Sequence, residues 1–126
     1  MVKTETELKN IIKDSIEFLK KKIRISAVYL FGTYATGTAT HWSDIDLAVF
    51  SPDADKMNIE DKAKLATNLR LRCHTEVELH FFPKKALKEV RRSFPRYVPI
   101  FQNLLKPAFL LWLQPLRKTP VHHLKP

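Results

Sequence analysis

The 126-residue chain has the length of one domain, and 44% hydrophobic with 28% charged residues suits a globular core rather than a disordered or fibrous chain. Its single cysteine, Cys73, excludes an intrachain disulfide and a cysteine-rich zinc cluster, and reads as a small buried hydrophobe on a helix. Twenty-two Lys and Arg against thirteen Asp and Glu give a net charge of +9, which favours anionic partners: nucleic acid, nucleotide phosphates or an acidic protein.

Residues 4–22 are predicted to form an amphipathic helix. Thr4 and Glu7 fit a capping box, and Leu8, Ile11, Ile12, Ile16, Leu19 and Ile23 recur at helical spacing on one face. Lys20, Lys21 and Lys22 suit the negative end of its dipole as a solvated run. The start MVKTETELKN lacks the apolar core of a secretion signal, and the longest apolar run, 108–113, is too short to span a bilayer. A cytoplasmic protein without membrane contact is expected.

The run "ISAVYLF" (25–31) reads as a strand stopped by Gly32, and 45–50 reads as a second strand closed by Ser51-Pro52. "SPDAD" supplies turn residues and a cap for a helix over about 56–72, whose expected apolar face is Ile59, Ala63, Ala66, Leu69 and Cys73. "TEVELHFF" (75–82) is the third strand, and Pro83 ends it and opens a short helix through Arg92. This order of helix, strand, strand, helix, strand, helix predicts an α+β domain: a mixed three- to four-stranded sheet with helices packed on it.

The end of the chain differs in composition. Six of the eight prolines lie between Pro95 and Pro126, and no acidic residue follows Glu89. The division expected is a domain over 1–93 and a basic, proline-rich segment over 94–126. Because proline removes backbone donors, that segment is not expected to extend the sheet. Its apolar residues, among them Phe101, Leu104, Phe109 and Trp112, suggest a partner-binding surface or a fold back onto the core.

Both glycines of the chain fall within residues 32–37, and two carboxylates follow shortly after. Gly32 permits a sharp turn and a close ligand approach, and Thr33 offers a hydroxyl and an N–H where phosphate would bind. Asp44 and Asp46 are two apart, so on a strand they project from the same face. Like charges that close are depleted from strands, and a divalent cation removes the penalty. The bland alternative is that Asp44 caps a turn with Ser43 while Asp46 faces solvent. In the third strand, Glu76 and Glu78 share a face, and either could complete the site. His80 falls on the face of Glu78, as a site residue or as a plain polar strand residue. Trp42 could stack on a base or simply cover the edge of the core.

Gly32-Thr33, ten residues, then Asp44-Ile45-Asp46 resembles the signature of the nucleotidyltransferase superfamily that includes DNA polymerase beta. The fuller string "LFGTYATGTATHWSDIDLAVF" is similar to the minimal nucleotidyltransferase proteins, over roughly residues 5–90. The resemblance implies a polymerase beta-like fold and transfer of a nucleoside monophosphate, AMP from ATP, to a hydroxyl of a partner protein. It implies Gly32, Thr33 and Ser43 at the nucleotide, Mg²⁺ on Asp44, Asp46 and Glu78, and these three carboxylates as the catalytic set. "VELHFF" matches the third-strand motif better with Glu78 in place than with Glu76. The resemblance also implies a HEPN-domain toxin as partner and a homo- or hetero-oligomer.

The chain departs from the pattern at three points. Thr33 replaces the usual serine and keeps the hydroxyl, Thr36 stands where an arginine is common, and the segment after about Ser93 does not resemble the family. The lost arginine leaves a second reading: an antitoxin subunit that neutralises its partner by contact, with weak or no turnover. A third, a nucleic-acid-binding module resting on the +9 charge, leaves Asp44 and Asp46 unexplained.

Overall fold

A computed structural model of the chain describes residues 2–88 and the backbone of residues 98–102. Helix α1 spans Glu5–Lys20 with Thr4 as its cap. The predicted capping box is present: Glu7 N–H donates to the Thr4 hydroxyl at 3.1 Å, and Thr4 N–H donates to the Glu7 carboxylate at 2.8 Å. Leu8, Ile11, Ile12, Ile16 and Leu19 are buried along one face, and Ile23 packs at the edge of the same cluster.

Strand β1 is Ala27–Phe31, followed by the single helical turn α2, Thr33–Thr36. Strand β2 is Ile45–Ser51, and a 3₁₀ turn over Ala54–Lys56 leads to helix α3, Ile59–Arg72. Strand β3 is Val77–Pro83, a 3₁₀ turn covers Lys84–Ala86, and strand β4 is Val98–Gln102. The sheet order is β3-β2-β1-β4. β1 runs antiparallel to both β2 and β4, and β2 pairs with β3 in parallel, with α3 as the crossover between them.

Three sequence expectations are corrected here. The cap of α3 is Asn58, whose side chain accepts from Asp61 N–H at 2.7 Å. Asp53 of "SPDAD" instead binds Arg24, accepting from its guanidinium at 2.8 Å and from its backbone N–H at 2.8 Å. The buried stripe of α3 is Leu65 and Leu69, with Cys73 at its end, whereas Ile59 is 85% exposed. A leucine pair four residues apart on the sheet side fixes the helix's rotation and turns position 59 to solvent. The third concerns the chain end: residues 98–102 do extend the sheet. Pro99 is accommodated because, among the described residues, β4 has only β1 as a neighbour and pairs beside a register shift at Val28/Tyr29, the edge and bulge settings where a missing N–H is tolerated.

Alternation gives the sheet two different faces. Val28, Leu30, Ile45, Leu47, Val49 and Val77 face α1 and α3 in the larger cluster. Ala27, Tyr29, Ala48 and Phe50 occupy the opposite face, with Phe31, Phe82, Ala86 and Leu87 beside them. Tyr29 meets Phe50 edge-on at 5.7 Å, and Phe82 stacks on Phe50 at 5.1 Å. Asp46, Glu78 and His80 have the parity of this second face. Among the described residues no helix is long and apolar enough to cross a membrane.

Candidate active site

The site forms where β1 ends and β2 and β3 begin. Phe31, the last residue of β1, lies opposite Asp46 in the register, and the chain must turn at once. Gly32 makes that turn at φ 74° and ψ −156°, a conformation essentially restricted to glycine. A second constraint acts on the same residue: a Cβ there would collide with Asp46 Oδ2 and stand 3.2 Å from its Cγ. The α2 turn follows, with Ala35 and Thr36 N–H groups donating to the Gly32 carbonyl at 3.1 and 3.2 Å. Thr36 also turns its hydroxyl back on this carbonyl at 3.3 Å and shares a hydrogen bond with the Thr38 hydroxyl at 2.9 Å. Gly37, at φ 81°, closes the turn in the left-handed conformation. Thr33 is exposed on its rim.

Residues 38–44 loop from α2 to β2. Thr40 N–H donates to the Ser43 hydroxyl at 2.8 Å and Ser43 N–H donates to the Thr40 carbonyl at 3.0 Å, so Ser43 braces the loop. Trp42 is 83% exposed, its ring tilted against His41 at 4.5 Å. Asp44 is exposed in the residue before β2 starts.

The parallel register sets Asp46 directly beside Glu78. His80, two residues on, shares the face, with its Nε2 at 3.3 Å from Asp46 Oδ1 and 3.8 Å from Glu78 Oε1. One ligand atom from each of the three lies within 4.8 Å of the others. The imidazole meets the Phe31 ring edge-on at 4.8 Å, a contact that supports it from one side. Burial pushes the Asp46 carboxyl above the usual range; the hydrogen bond from His80 opposes this, and the charges of Glu78 and Asp44 add to it.

Glu76 is drawn elsewhere. Its carboxylate meets Lys3 Nζ at 3.4 Å and His74 Nδ1 at 3.6 Å, and its carbonyl accepts from Ile45 N–H at 2.8 Å. His74 reaches Asp14 on α1 through Nε2 at 3.0 Å, so this group ties the α3–β3 turn to the first helix.

Of the residues singled out in the sequence, Gly32, Asp46 and Glu78 thus converge. Asp44 is near enough for its charge to bear on Asp46 but stands outside the three-residue group. Thr33 lines the adjoining turn, and Ser43 is engaged within its loop. His80 is the residue the sequence left undecided, and its spacing of two from Glu78 was the signal. Two carboxylate oxygens and an imidazole nitrogen at this separation fit a divalent cation by donor type.

A family model described as "Polymerase beta, Nucleotidyltransferase" matches residues 13–96. A candidate protein adenylyltransferase of Methanocaldococcus jannaschii is 42% identical over 48 residues, covering 38% of this chain and 48% of that protein. The match thus spans about half of the relative's length. Among solved structures, a candidate nucleotidyltransferase from Sulfolobus solfataricus superposes with a TM-score of 0.62 at 18% identity, covering 79% of this chain and 84% of that one. A toxin–antitoxin structure with AMP-PNP superposes with a TM-score of 0.55 at 21% identity, covering 83% and 81%. These two likenesses speak for the fold.

Proposed function

We propose, because the chain belongs to the polymerase beta nucleotidyltransferase family, that it transfers AMP from ATP to a hydroxyl of a partner protein and acts as the antitoxin of a HEPN-domain toxin. The observation that carries this reading is the pairing of Asp46 with Glu78 across two parallel strands, against the side-chain-free Gly32. The acceptor oxygen attacks the α-phosphorus, the bond to the β-phosphate oxygen breaks, and pyrophosphate leaves.

Each residue has a part in this reading. Gly32 and Thr33 border the triphosphate, the first by leaving backbone exposed and the second through its hydroxyl. Asp46 is positioned by β2 and is partly desolvated, so its charge is screened less than that of the exposed Asp44. Glu78, whose side chain is 46% exposed, faces an incoming acceptor and takes its proton. Asp46 and Glu78, with Asp44 beside them, would hold Mg²⁺, which when bound neutralises the triphosphate and activates the acceptor hydroxyl.

The likeness to a protein adenylyltransferase supports AMP as the group transferred, and the likeness to a toxin–antitoxin structure supports a toxin as acceptor. Labelled AMP appearing on the toxin from [α-³²P]ATP, and lost with Asp46→Asn, is the expected result; an unlabelled toxin in the presence of bound ATP would overturn it. Thr36 favours a second reading, neutralisation by contact alone. Its hydroxyl is bonded back to the turn and brings no cation to the phosphates. That reading predicts toxin inhibition that survives Asp46→Asn.

A further inference from the structure

We infer that His80 is a ligand of the divalent cation held by Asp46 and Glu78, so that the site has mixed oxygen and nitrogen donors and prefers Mn²⁺ to Mg²⁺. This rests on the cation-binding part of the proposed function and adds to it a residue and a selectivity.

Three observations carry it. His80 is placed by strand geometry on the same face as Glu78, and Glu78 is the register neighbour of Asp46. Its Nε2 is aimed at both carboxylates, 3.3 Å from Asp46 Oδ1 and 3.8 Å from Glu78 Oε1. Donors bound at about 2.1 Å to one cation stand about 3.0–3.4 Å apart when adjacent, so the first distance already suits shared coordination. The second needs a contraction of a few tenths of an ångström, and the Asp46 and Glu78 oxygens, which lie within 4.8 Å of one another, must close as well; the long and 46% exposed Glu78 side chain permits both. The Phe31 ring packs against the imidazole at 4.8 Å in a T-shaped contact, which supports it from one side.

The donor chemistry then decides selectivity. Mg²⁺ favours oxygen ligands and retains waters, whereas imidazole is a better partner for first-row transition metals. Mn²⁺ accepts carboxylates and imidazole together. Asp44, exposed and ahead of β2, adds a carboxylate beside the site that favours any dication without choosing among them.

The rival is that His80 is itself the counter-cation, hydrogen-bonded to the carboxylates and displaced by metal. The two differ in sign. Mn²⁺ and Mg²⁺ binding to the full chain, measured by calorimetry in the parent, His80→Ala and Asp46→Asn, separates them. Coordination predicts that His80→Ala weakens Mn²⁺ at least tenfold and Mg²⁺ less than threefold, with unchanged circular dichroism. Electron spin-echo modulation from a coordinated ¹⁴N should accompany Mn²⁺ in the parent and vanish in His80→Ala, with the other four histidines intact. Mn²⁺ binding that depends on Asp46 but shows no ¹⁴N modulation, or tightens in His80→Ala, overturns the role of His80 alone. No binding of either cation to the parent overturns the cation reading as well.

Discussion

Gly32 and Asp46 occupy one another's space: the absent side chain of the first is where the carboxylate of the second lies. The family's glycine is therefore as much a seat for the acid as an opening for phosphate. Gly32→Ala should cost roughly 2–4 kcal/mol, from the positive φ and the collision together. In an Asp46→Ala background the same substitution should cost about 1 kcal/mol less, because the carboxylate collision is gone while the backbone strain and a close Cβ contact at 3.3 Å remain. Chemical denaturation of the four proteins checks this. Strictly additive losses would show that the contact contributes nothing.

Asp46 should trade stability for function. Its carboxyl is raised in the folded state, chiefly by burial, so the folded chain holds this proton more tightly than the unfolded one. Ionisation therefore costs stability above the folded pKa, and the cost vanishes as pH falls below the ordinary carboxylate value. Asp46→Asn is expected to melt above the parent at pH 7 without divalent cation, and to converge with it near pH 3. A lower melting temperature for the variant at pH 7 would contradict the sign.

The two glutamates of the third strand should separate in kinetics. Glu78→Gln is expected to slow AMP transfer roughly 10²–10⁴-fold, the usual worth of a positioned base, with a smaller effect on ATP affinity. Glu76→Gln should change the rate less than about threefold and cost at most about 1 kcal/mol, as expected for a partly exposed ion pair with Lys3. Equal losses in a single-turnover assay would mean that the division of labour is wrong.

Arg24 and Asp53 give a separate pH signature. The Arg24 hydrogen bonds hold the Asp53 carboxyl down at about 2, below its ordinary value. The pair's contribution is fully present above the ordinary carboxylate value and is lost as pH falls through about 2. Thermal scans of Arg24→Gln and the parent should differ at pH 6 and merge toward pH 2. A difference that stays constant over that range would mean the pair is not what the substitution removes.

Truncation should behave differently on either side of β4. A chain ending at Ser93 loses the strand that pairs with β1 and leaves that β1 edge open, so it should be less stable and prone to aggregate. A chain ending at Gln102 should keep its sheet and bind ATP, and we propose that it loses partner docking. Gel filtration, melting and toxin pull-down compare the three lengths; equal melting temperatures for all of them would deny β4 a stabilising role.

Much of this was written in local chemistry. The α1 cap needed only Thr4 and Glu7, and the turn at Gly32 needed only a residue able to adopt positive φ. What stayed hidden was set by tertiary partners. Ile59 looks core-facing until Leu65 and Leu69 fix the rotation of α3, and Pro99 looks incompatible with a sheet until its strand is known to be at the edge. Glu76 and Glu78 are indistinguishable by alternation. The register with β2 and the Lys3 and His74 contacts separate them. The expected larger unit boundary at Ser93 and a role for the sequence beyond Gln102 lie largely outside the described residues.

The antiparallel pairing of β1 with β2 also decides which parts of the chain are free to vary. It brings the exit of β1 to the entrances of β2 and β3, so three segments of two connections crowd one rim: the Gly32 turn and residues 38–44 between β1 and β2, and the α3–β3 turn. The other ends of β2 and β3, at Ser51 and Pro83, lie about 20 Å away along the strands. The segment that carries the exposed Trp42 can thus be exchanged with every ladder of the sheet left in register. A reporter dye at Asp55 would sit on the far rim, able to follow docking without obstructing it.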